Sequence, residues 1–332
     1  MKDVAEAAGV HPGTVSRVLN QRTRHLVRDE TALRVEQVAG EMGYEANQIA
    51  RGLRMRQSNT VGVLIPDLTN PLFPPIVRGI EDLLDPLGYT ALVASTDWDS
   101  ARERRAFATL ATRQVDGFIA ATTPSNLKLF GEAADDGTAL VLINRTLGRR
   151  KVYAVTPDDR TGGRLAADHL VQLGHRRIGH LAGPQELSPG RQRHRSFKAA
   201  LAKHGIELPD DRVAVARSFT EGAGEDPARA LLEPSKKITA IFAANDLLAL
   251  DCLAVLVEQG RRCPQHVSIM GFNDMPFASR FDPPLTTIHF SPYQLGRRAA
   301  ELLMEQVEKR GGRPRTVVCE VSLAARGSTV AT

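Results

Sequence analysis

The sequence is poor in cysteine and aromatic residues and contains no long apolar run. Its three cysteines are far apart and form neither a CxxC pair nor a disulfide framework, so we expect Cys252, Cys263 and Cys319 to be packing residues. No apolar run approaches the ~18 residues of a membrane-spanning helix. The first residues also lack the apolar core of a signal peptide. These absences predict a cytoplasmic protein with no membrane partner.

Motifs of several common enzyme mechanisms are absent as well. The chain has no GxxxxGK(S/T) phosphate loop, no HExxH pair and no GxSxG nucleophile elbow. His175 and His180 flank the start of a predicted strand, where their side chains should point to different places, which argues against a metal site. Gly222 and Gly224 lack the third glycine of a dinucleotide fingerprint. We therefore predict no catalytic residue, no metal ligand and no cofactor.

What the sequence does contain is typical of a globular protein of about two domains. It has 332 residues, of which 42% are apolar and 24% charged, and these values are near the averages of soluble domains. The net charge is +5, but its distribution is more informative. Residues 7–28 and 46–66 contain several arginines and no acidic side chain. Such windows fit either a solvated basic face or a nucleic-acid-binding surface.

Helical periodicity in residues 1–43 predicts a helix-turn-helix with a supporting third helix. Two short apolar stripes must pack against each other, and Gly9 lies between them where a tight turn is needed. A third stripe runs from Thr31 or earlier to Met42, and Gly43 follows as its stop. Pro12 suits the first turn of the second helix. The residues on the outward face of that helix, where a DNA major groove would contact them, are Gly13, Thr14, Ser16 and Arg17.

From residue 60 onward, short β-rich runs alternate with amphipathic stretches, a pattern typical of parallel α/β sheets. A segment of about 270 residues is accommodated more easily in two doubly wound subdomains than in one. Ligands of such folds bind beyond the carboxyl ends of the strands, so we expect a site in the cleft between subdomains. The predicted strands are 61–65, 91–94, 117–121, 139–143, 178–182, 213–216, 240–243 and 267–270, and the predicted helices include 76–87, 165–173, 197–203 and 247–258.

Ordered motifs in both regions resemble one known family. In the first region they are Asp3-Val4-Ala5, Ala8-Gly9-Val10, Thr14 through Asn20, Val35 through Tyr44 and Asn47. In the second region they are Pro66 through Pro71, His169-Leu170, Leu173 through Ile178, Leu181 through Pro184, Ala244-Asn245-Asp246, Gly271 through Asp274 and Leu285 through Ile288. Over its whole length the chain resembles the lac repressor (LacI) family of bacterial transcription regulators.

The resemblance implies a domain organisation. It places an all-α helix-turn-helix headpiece at 1–45, a hinge at 46–58 and a periplasmic-binding-protein-like effector and dimerisation domain at 59–332. That last domain would consist of an N-subdomain (59–156 and 288–314) and a C-subdomain (157–287 and 315–332). Because only Met1 and Lys2 precede the matched motifs, we expect either a frayed first helix or a translation start upstream of Met1.

The resemblance also implies which residues contact operator DNA. In the family the hinge becomes helical on DNA and a leucine enters the minor groove, and Leu53 is the matching residue; an ordinary core leucine is the alternative. Arg17 is predicted to read a base directly, since Pro12 and Gly13 carry no side-chain donors. We assign the basic loop at 21–28 to backbone contact. The other predicted DNA contacts are Pro12, Gly13, Thr14, Ser16, Asn20, Asn47, Ala50 and Arg54.

An effector site in the cleft is implied in the same way. Arg193 matches the arginine that clamps the effector in this family, and Asn245 matches an amide at a strand end. Phe219 matches an aromatic side chain that stacks on the ligand. Phe73 is predicted to line the cleft, with a place in the core as the alternative.

Two effector positions depart from the family pattern. Asn273, followed by Asp274, and Asn144 stand where the family often has aspartates. We include all three in the predicted site. Two fewer negative charges near Arg193 favour an anionic or less hydroxyl-rich ligand. The alternative is that Asn144 and Asn273 are plain turn residues.

The function that follows is sequence-specific DNA binding under small-molecule control. We predict a repressor that binds a pseudo-palindromic operator as a homodimer and responds to a sugar, a sugar acid or a related metabolite. A solute-binding protein is one alternative, which needs a signal peptide and no headpiece. A doubly wound sugar-metabolising enzyme with a fortuitous N-terminal segment is another, which needs a catalytic acid–base pair in the cleft.

Overall fold

The computed structural model describes residues 1–19, 23–43, 58–122, 124–147, 152–309 and 312–332. The chain divides into two compact units, Met1–Ser58 and Asn59–Thr332. Within the described ranges, the first unit has one cluster of buried apolar residues, and the second unit has three.

In the described residues of the first unit there are three α-helices, α1 (Lys2–Ala7), α2 (Pro12–Val18) and α3 (Asp29–Glu41). Gly9 in the turn after α1 has φ +63°, and Gly43 beyond α3 has φ +59°. Glycine adopts this left-handed conformation without the steric cost that a Cβ would bring. The helices share one core, formed by Val4, Ala5, Ala8, Val15, Val18, Ala32, Val35 and Ala39. The predicted helix-turn-helix with a supporting third helix is confirmed.

The second unit begins with a parallel sheet of six strands. These are β1 (Thr60–Ile65), β2 (Thr90–Ser95), β3 (Gly117–Ala120), β4 (Leu140–Ile143), β5 (Tyr153–Pro157) and β11 (Thr316–Cys319). Their order across the sheet is β11-β5-β4-β3-β1-β2, and every pair is parallel. The helices of this subdomain are α4 (Phe73–Leu84), α5 (Ser100–Thr112), α6 (Leu127–Asp135) and α11 (Pro292–Lys309).

A second sheet of six strands follows. It consists of β6 (Ile178–Ala182), β7 (Val213–Val215), β8 (Ala240–Ala243), β9 (Ser268–Asn273), β10 (Thr286–His289) and β12 (Ser322–Ala324). The order is β12-β10-β9-β8-β6-β7, and only β12 runs antiparallel to its neighbour. The associated helices are α7 (Asp159–Gln172), α8 (Ser188–Lys203), α9 (Glu225–Leu231) and α10 (Asp246–Glu258). Two doubly wound subdomains were predicted, and the fold class is confirmed.

The structure corrects the predicted subdomain boundaries near the C-terminus. β11 was expected in the C-subdomain, but it pairs with β5 in the first sheet, with Thr316 opposite Ala154. Only β12 returns to the second sheet, where Leu323 pairs with Ile288. The chain therefore crosses between subdomains after Pro157, after β10 and after β11. β11 and β12 are close in the sequence, but β11 is an edge strand of the first sheet and β12 an edge strand of the second.

Candidate functional site

The outward face of α2 presents the side chains predicted to contact DNA. Val15 and Val18 on the inner face are buried in the headpiece core. At the start of the helix, His11 Nδ1 accepts a hydrogen bond from the Gly13 N–H at 3.1 Å, and this cap satisfies one of the free donors of the first turn. The exposed or half-buried residues of this face are Pro12, Gly13, Thr14, Ser16 and Arg17. Arg17 is thus exposed on the surface where base contacts are expected.

The basic loop before α3 has a structural role that the sequence analysis missed. The Arg24 guanidinium contacts Glu36 at 2.7 Å and Asp29 at 3.1 Å. These carboxylates raise the pKa of Arg24 through hydrogen bonds, Glu36 having the larger effect. Arg24 therefore ties the loop to α3, and the assignment of the loop to DNA backbone contact stays a prediction. Arg28 is exposed and remains available for that contact.

Five of the predicted DNA contacts lie outside the described residues: Asn20, Asn47, Ala50, Leu53 and Arg54. Their roles, including the leucine wedge, stay predictions.

In the second unit, a cleft lies at the carboxyl ends of strands from both sheets. Trp98 follows β2, Asn144 follows β4 directly, and Asn273 is the last residue of β9. This is where ligands bind in open parallel sheets. The residues lining the cleft are Asn70, Leu72, Phe73, Trp98, Asn144, Arg145, Pro189, Arg193, Phe219, Asn245 and Asn273.

The cleft brings together six of the seven residues predicted to bind an effector: Phe73, Asn144, Arg193, Phe219, Asn245 and Asn273. Phe73 is 2% exposed and also lines the cleft. It therefore lies both in the core and at the cleft, the two positions that the sequence left open. These residues are up to 200 positions apart in the sequence (273 − 73). The folding of the two sheets brings them together at the cleft.

Arg193 is the most constrained side chain of the cleft. It is 2% exposed, and its Nε donates to Asp159 Oδ1 at 2.7 Å. Nη1 donates to the Ala244 carbonyl at 2.6 Å and lies 3.5 Å from Asn273 Oδ1. The guanidinium carbon stacks 3.6 Å from the centre of the Phe272 ring. Held on four sides, Arg193 can present only its remaining N–H groups to a ligand.

A close helix contact places this ion pair. Asp159 begins α7 and Arg193 lies on α8. Gly163, one turn along α7, approaches α8 so closely that an added Cβ would lie 2.1 Å from Ser196 Oγ and 2.8 Å from the Arg193 carbonyl oxygen. Any larger residue would push the helices apart. The glycine therefore sets the distance between Asp159 and Arg193.

Two asparagines of the cleft use their amides to hold the site together. Asn245 Oδ1 accepts from the Leu248 N–H at 2.9 Å and caps α10. Its Nδ2 donates to the Phe219 carbonyl at 3.0 Å. Asn70, from the other subdomain, donates to the same carbonyl at 3.4 Å. Asn245 thus positions the Phe219 segment in addition to facing the cleft.

Asn144 and Asn273 are both turn residues and cleft residues. Their φ angles are +57° and +120°, where asparagine is tolerated better than most residues. Both side chains nevertheless line the cleft, so the two interpretations of the sequence hold together. Such backbone conformations occur preferentially at functional sites.

Asp274 does not line the cleft, contrary to the prediction. Its carboxylate contacts Arg326 at 2.7 Å and His289 Nδ1 at 2.9 Å. The left-handed φ angles of Asn273 and Asp274, +120° and +50°, turn the backbone sharply at this point. The side chain of Asn273 therefore faces the ligand space, and that of Asp274 holds the C-terminal segment.

Buried carboxylates stand behind the cleft wall. Burial raises the pKa of Asp159, and Arg193 opposes that rise. Burial also raises the pKa of Asp246 to about 7, although Thr287 donates to it at 2.5 Å and the Met275 N–H at 2.8 Å. Neither carboxylate is among the described residues that line the cleft. Asp159 supports the site through its contact with Arg193.

Sequence reasoning missed Trp98 and Arg145. Trp98 and its neighbour Asp97 have φ angles of +59° and +51°, a strained conformation for side chains of this size. The Arg145 guanidinium is buried and lies 4.9 Å from the centre of the Trp98 ring. Burial lowers the pKa of Arg145 to about 10, so the group stays charged at neutral pH. Arg145 follows the predicted Asn144 directly and could have been found by extending that motif.

The histidines and cysteines flagged in the sequence lie away from the cleft. His175 bonds Thr239 and the Val330 carbonyl, whereas His180 bonds the Phe242 carbonyl at 2.8 Å. No cluster able to hold a metal occurs among the residues that the structure describes. The cysteines are free, and burial raises the pKa of Cys263 to about 12. Within the described ranges, no helix combines the length and apolarity required for crossing a bilayer.

Comparison with known proteins assigns both regions. Residues 1–47 match the bacterial regulatory proteins of the lacI family, and residues 167–329 match a periplasmic binding protein-like domain. The chain is 33% identical to the HTH-type transcriptional repressor CytR of Escherichia coli strain K12, over 99% of this chain and 96% of that protein. The chain belongs to the LacI family of bacterial regulatory proteins. The predicted resemblance is confirmed.

Two further relatives agree with this assignment. The ribose operon repressor of Halalkalibacterium halodurans is 32% identical over 93% of this chain and 91% of its own length. The crystal structure of the lac repressor dimer bound to operator and the anti-inducer ONPF superposes with a TM-score of 0.85 at 28% identity, covering 99% of this chain and 98% of that one. This LacI-family chain is a DNA-binding transcription regulator.

Proposed function

We propose that this LacI-family regulator is a cytoplasmic repressor. Two copies bind a pseudo-palindromic operator, and a small molecule in the cleft changes the affinity for that DNA. The observation that carries the proposal is the cleft itself, where both sheets direct two guanidiniums, four amides and aromatic side chains into one space. The relatives support it, because CytR and the ribose operon protein are named repressors and the lac repressor structure is a dimer on operator.

A dimer follows from the small size of the DNA-reading unit. α2 has seven residues and presents few side chains outward, which is enough for one half-site. Two copies related by a two-fold axis read both halves of a palindrome, and the affinity then rises steeply.

Effector control follows from the way in which the cleft joins the two subdomains. Trp98, Asn144 and Arg145 belong to the first, and Arg193 and Phe219 to the second. A ligand that contacts both sets favours one relative position of the subdomains. A coupling free energy of ~1–3 kcal/mol is sufficient for a 5–150-fold change in operator affinity. Since the described lining carries neither carboxylate nor histidine, binding and not catalysis is the proposed task.

The proposal is tested by selection from fragments of the source genome. The purified full chain is incubated with the fragments and an excess of random competitor DNA, and retained fragments are sequenced. We expect a small set that shares a pseudo-palindrome, and a complex whose mass by light scattering corresponds to two chains per site. If fragments were retained but no sequence were enriched among them, the proposal of sequence-specific regulation would be contradicted.

A further inference from the structure

The cleft contains a buried guanidinium without an ion pair. Arg145 is 3% exposed, its Nη1 donates to the Thr122 carbonyl, and no carboxylate lies within ion-pair distance of it in the described ranges. Arg193, in contrast, is paired at 2.7 Å. Glu103 attracts Arg145 through space, but it accepts hydrogen bonds from the Thr122 hydroxyl at 3.2 Å and the Asn126 amide at 2.6 Å. A buried charge without a direct partner is costly.

Three buried polar atoms of the cleft, one of them in this guanidinium, have no hydrogen-bond partner within the described part of the chain. Trp98 Nε1, Arg145 Nε and Asn144 Oδ1 are buried and have no hydrogen-bond partner among the described residues. All three residues line the cleft, and Arg145 stacks on the Trp98 ring. Native structures satisfy nearly all buried polar groups, so three orphans in one cleft indicate a missing occupant. Two of the three atoms are donors, and one is an acceptor.

The rest of the lining does not repel negative charge. The described residues around the cleft include four asparagines, two arginines and no carboxylate. The asparagines can donate as well as accept. Phe73 and Phe219 add apolar faces suited to a ring or a carbon chain.

We propose that the effector carries a carboxylate, which accepts hydrogen bonds from Trp98 Nε1 and Arg145 and gives Arg145 the direct ion pair that it lacks. Asn144 Oδ1 accepts from a hydroxyl or amide of the same molecule. Water would satisfy the donors but bring no charge. A phosphate could accept from the same donors, so the test includes a phosphorylated sugar as a separate arm. The inference rests on the proposed function only in naming the ligand an effector.

The test uses Trp98 as a reporter, because it is the only tryptophan in the chain. The full-length protein is titrated with three matched pairs: D-glucuronate and D-glucose, D-galacturonate and D-galactose, benzoate and benzamide. Intrinsic fluorescence and calorimetry are followed at constant ionic strength, and D-glucose 6-phosphate is a separate arm. In at least one pair we expect the acid to bind ~10–100-fold more tightly, the factor expected for charge-assisted hydrogen bonds.

Two variants and a control assign the preference to Arg145. Arg145→Met should remove the preference for the acid, and Arg145→Lys, which keeps the charge and guards against misfolding, should retain part of it. Arg164→Met removes an exposed arginine of α7 and should leave the preference unchanged.

Several outcomes would overturn the proposal. The first is that both members of every pair bind equally or give no signal. The second is a preference for acids that persists in Arg145→Met. The third is tighter binding of D-glucose 6-phosphate than of D-glucuronate. The titration contains no DNA. Its failure therefore leaves operator recognition standing, and failure of the genomic selection leaves the acid preference standing.

Discussion

Replacing Arg193 and Asp159 together should lower the free energy of unfolding by much less than the sum of the two single replacements. The two side chains are 2% and 3% exposed and 2.7 Å apart. Arg193→Met leaves the Asp159 carboxylate buried without its cation, and Asp159→Ala leaves the guanidinium buried without its anion. Each change should lower the free energy of unfolding by ~3–5 kcal/mol. The double variant buries neither charge, so we expect a coupling of at least ~2 kcal/mol between the sites.

Urea unfolding followed by circular dichroism measures all four proteins of this cycle. Costs that add within ~0.5 kcal/mol would refute the account of Arg193 as one half of a buried ion pair. The double variant then separates folding from function. If it melts normally, it should bind operator as the wild type does and no longer respond to effector. Loss of operator binding in a well-folded double variant would show that Arg193 is needed for the DNA-bound state itself.

Three further changes test other parts of the molecule. Arg17→Ala should relax base preference at one operator position by ~1–3 kcal/mol, measured on a library of operator variants; an unchanged profile would exclude Arg17 from direct readout. Leu53→Ala should reduce DNA bending at the dyad in a gel-mobility assay, and equal bending would contradict the wedge. Burial lowers the pKa of His180 from 6.5 to about 3, so the unfolded chain takes up a proton below pH 6.5 while the folded chain does not. This residue alone should reduce stability by ~2 kcal/mol between pH 7 and pH 5. That loss should be smaller in His180→Phe than in the control His25→Gln, which changes an exposed histidine.

Much of the fold could be predicted because local sequence patterns agreed with the final packing. In the headpiece, Val15 and Val18 on α2 lie at helical spacing, as do Val35 and Ala39 on α3, and all four are buried. Gly9 has the positive φ that its turn requires. Continuous apolar runs marked most central strands for the same reason, since strands buried on both faces need apolar residues throughout. β11 was misplaced because its sheet is chosen by a partner, β5, more than 150 positions earlier (316 − 154 = 162).

The cleft could be predicted only where a family motif existed. Arg193 and Asn245 were found through the resemblance, and their burial and bonds are consistent with the assigned roles. Trp98 and Arg145 were missed because each is unremarkable in its own segment. Their significance arises when the ends of β2 and β4 meet and place the guanidinium 4.9 Å from the indole. Asp274 shows the reverse case, in which a motif residue turns away because the backbone reverses beside it.

The central claim is that occupancy of the cleft changes the affinity for operator DNA. The most direct measurement is the dissociation constant of a selected operator, by fluorescence anisotropy at fixed salt, with and without a small molecule that saturates the Trp98 signal. The account predicts a change of ~5–150-fold in the wild type, and none in the double variant Arg193→Met/Asp159→Ala. Identical operator affinities with the cleft empty and full would contradict it.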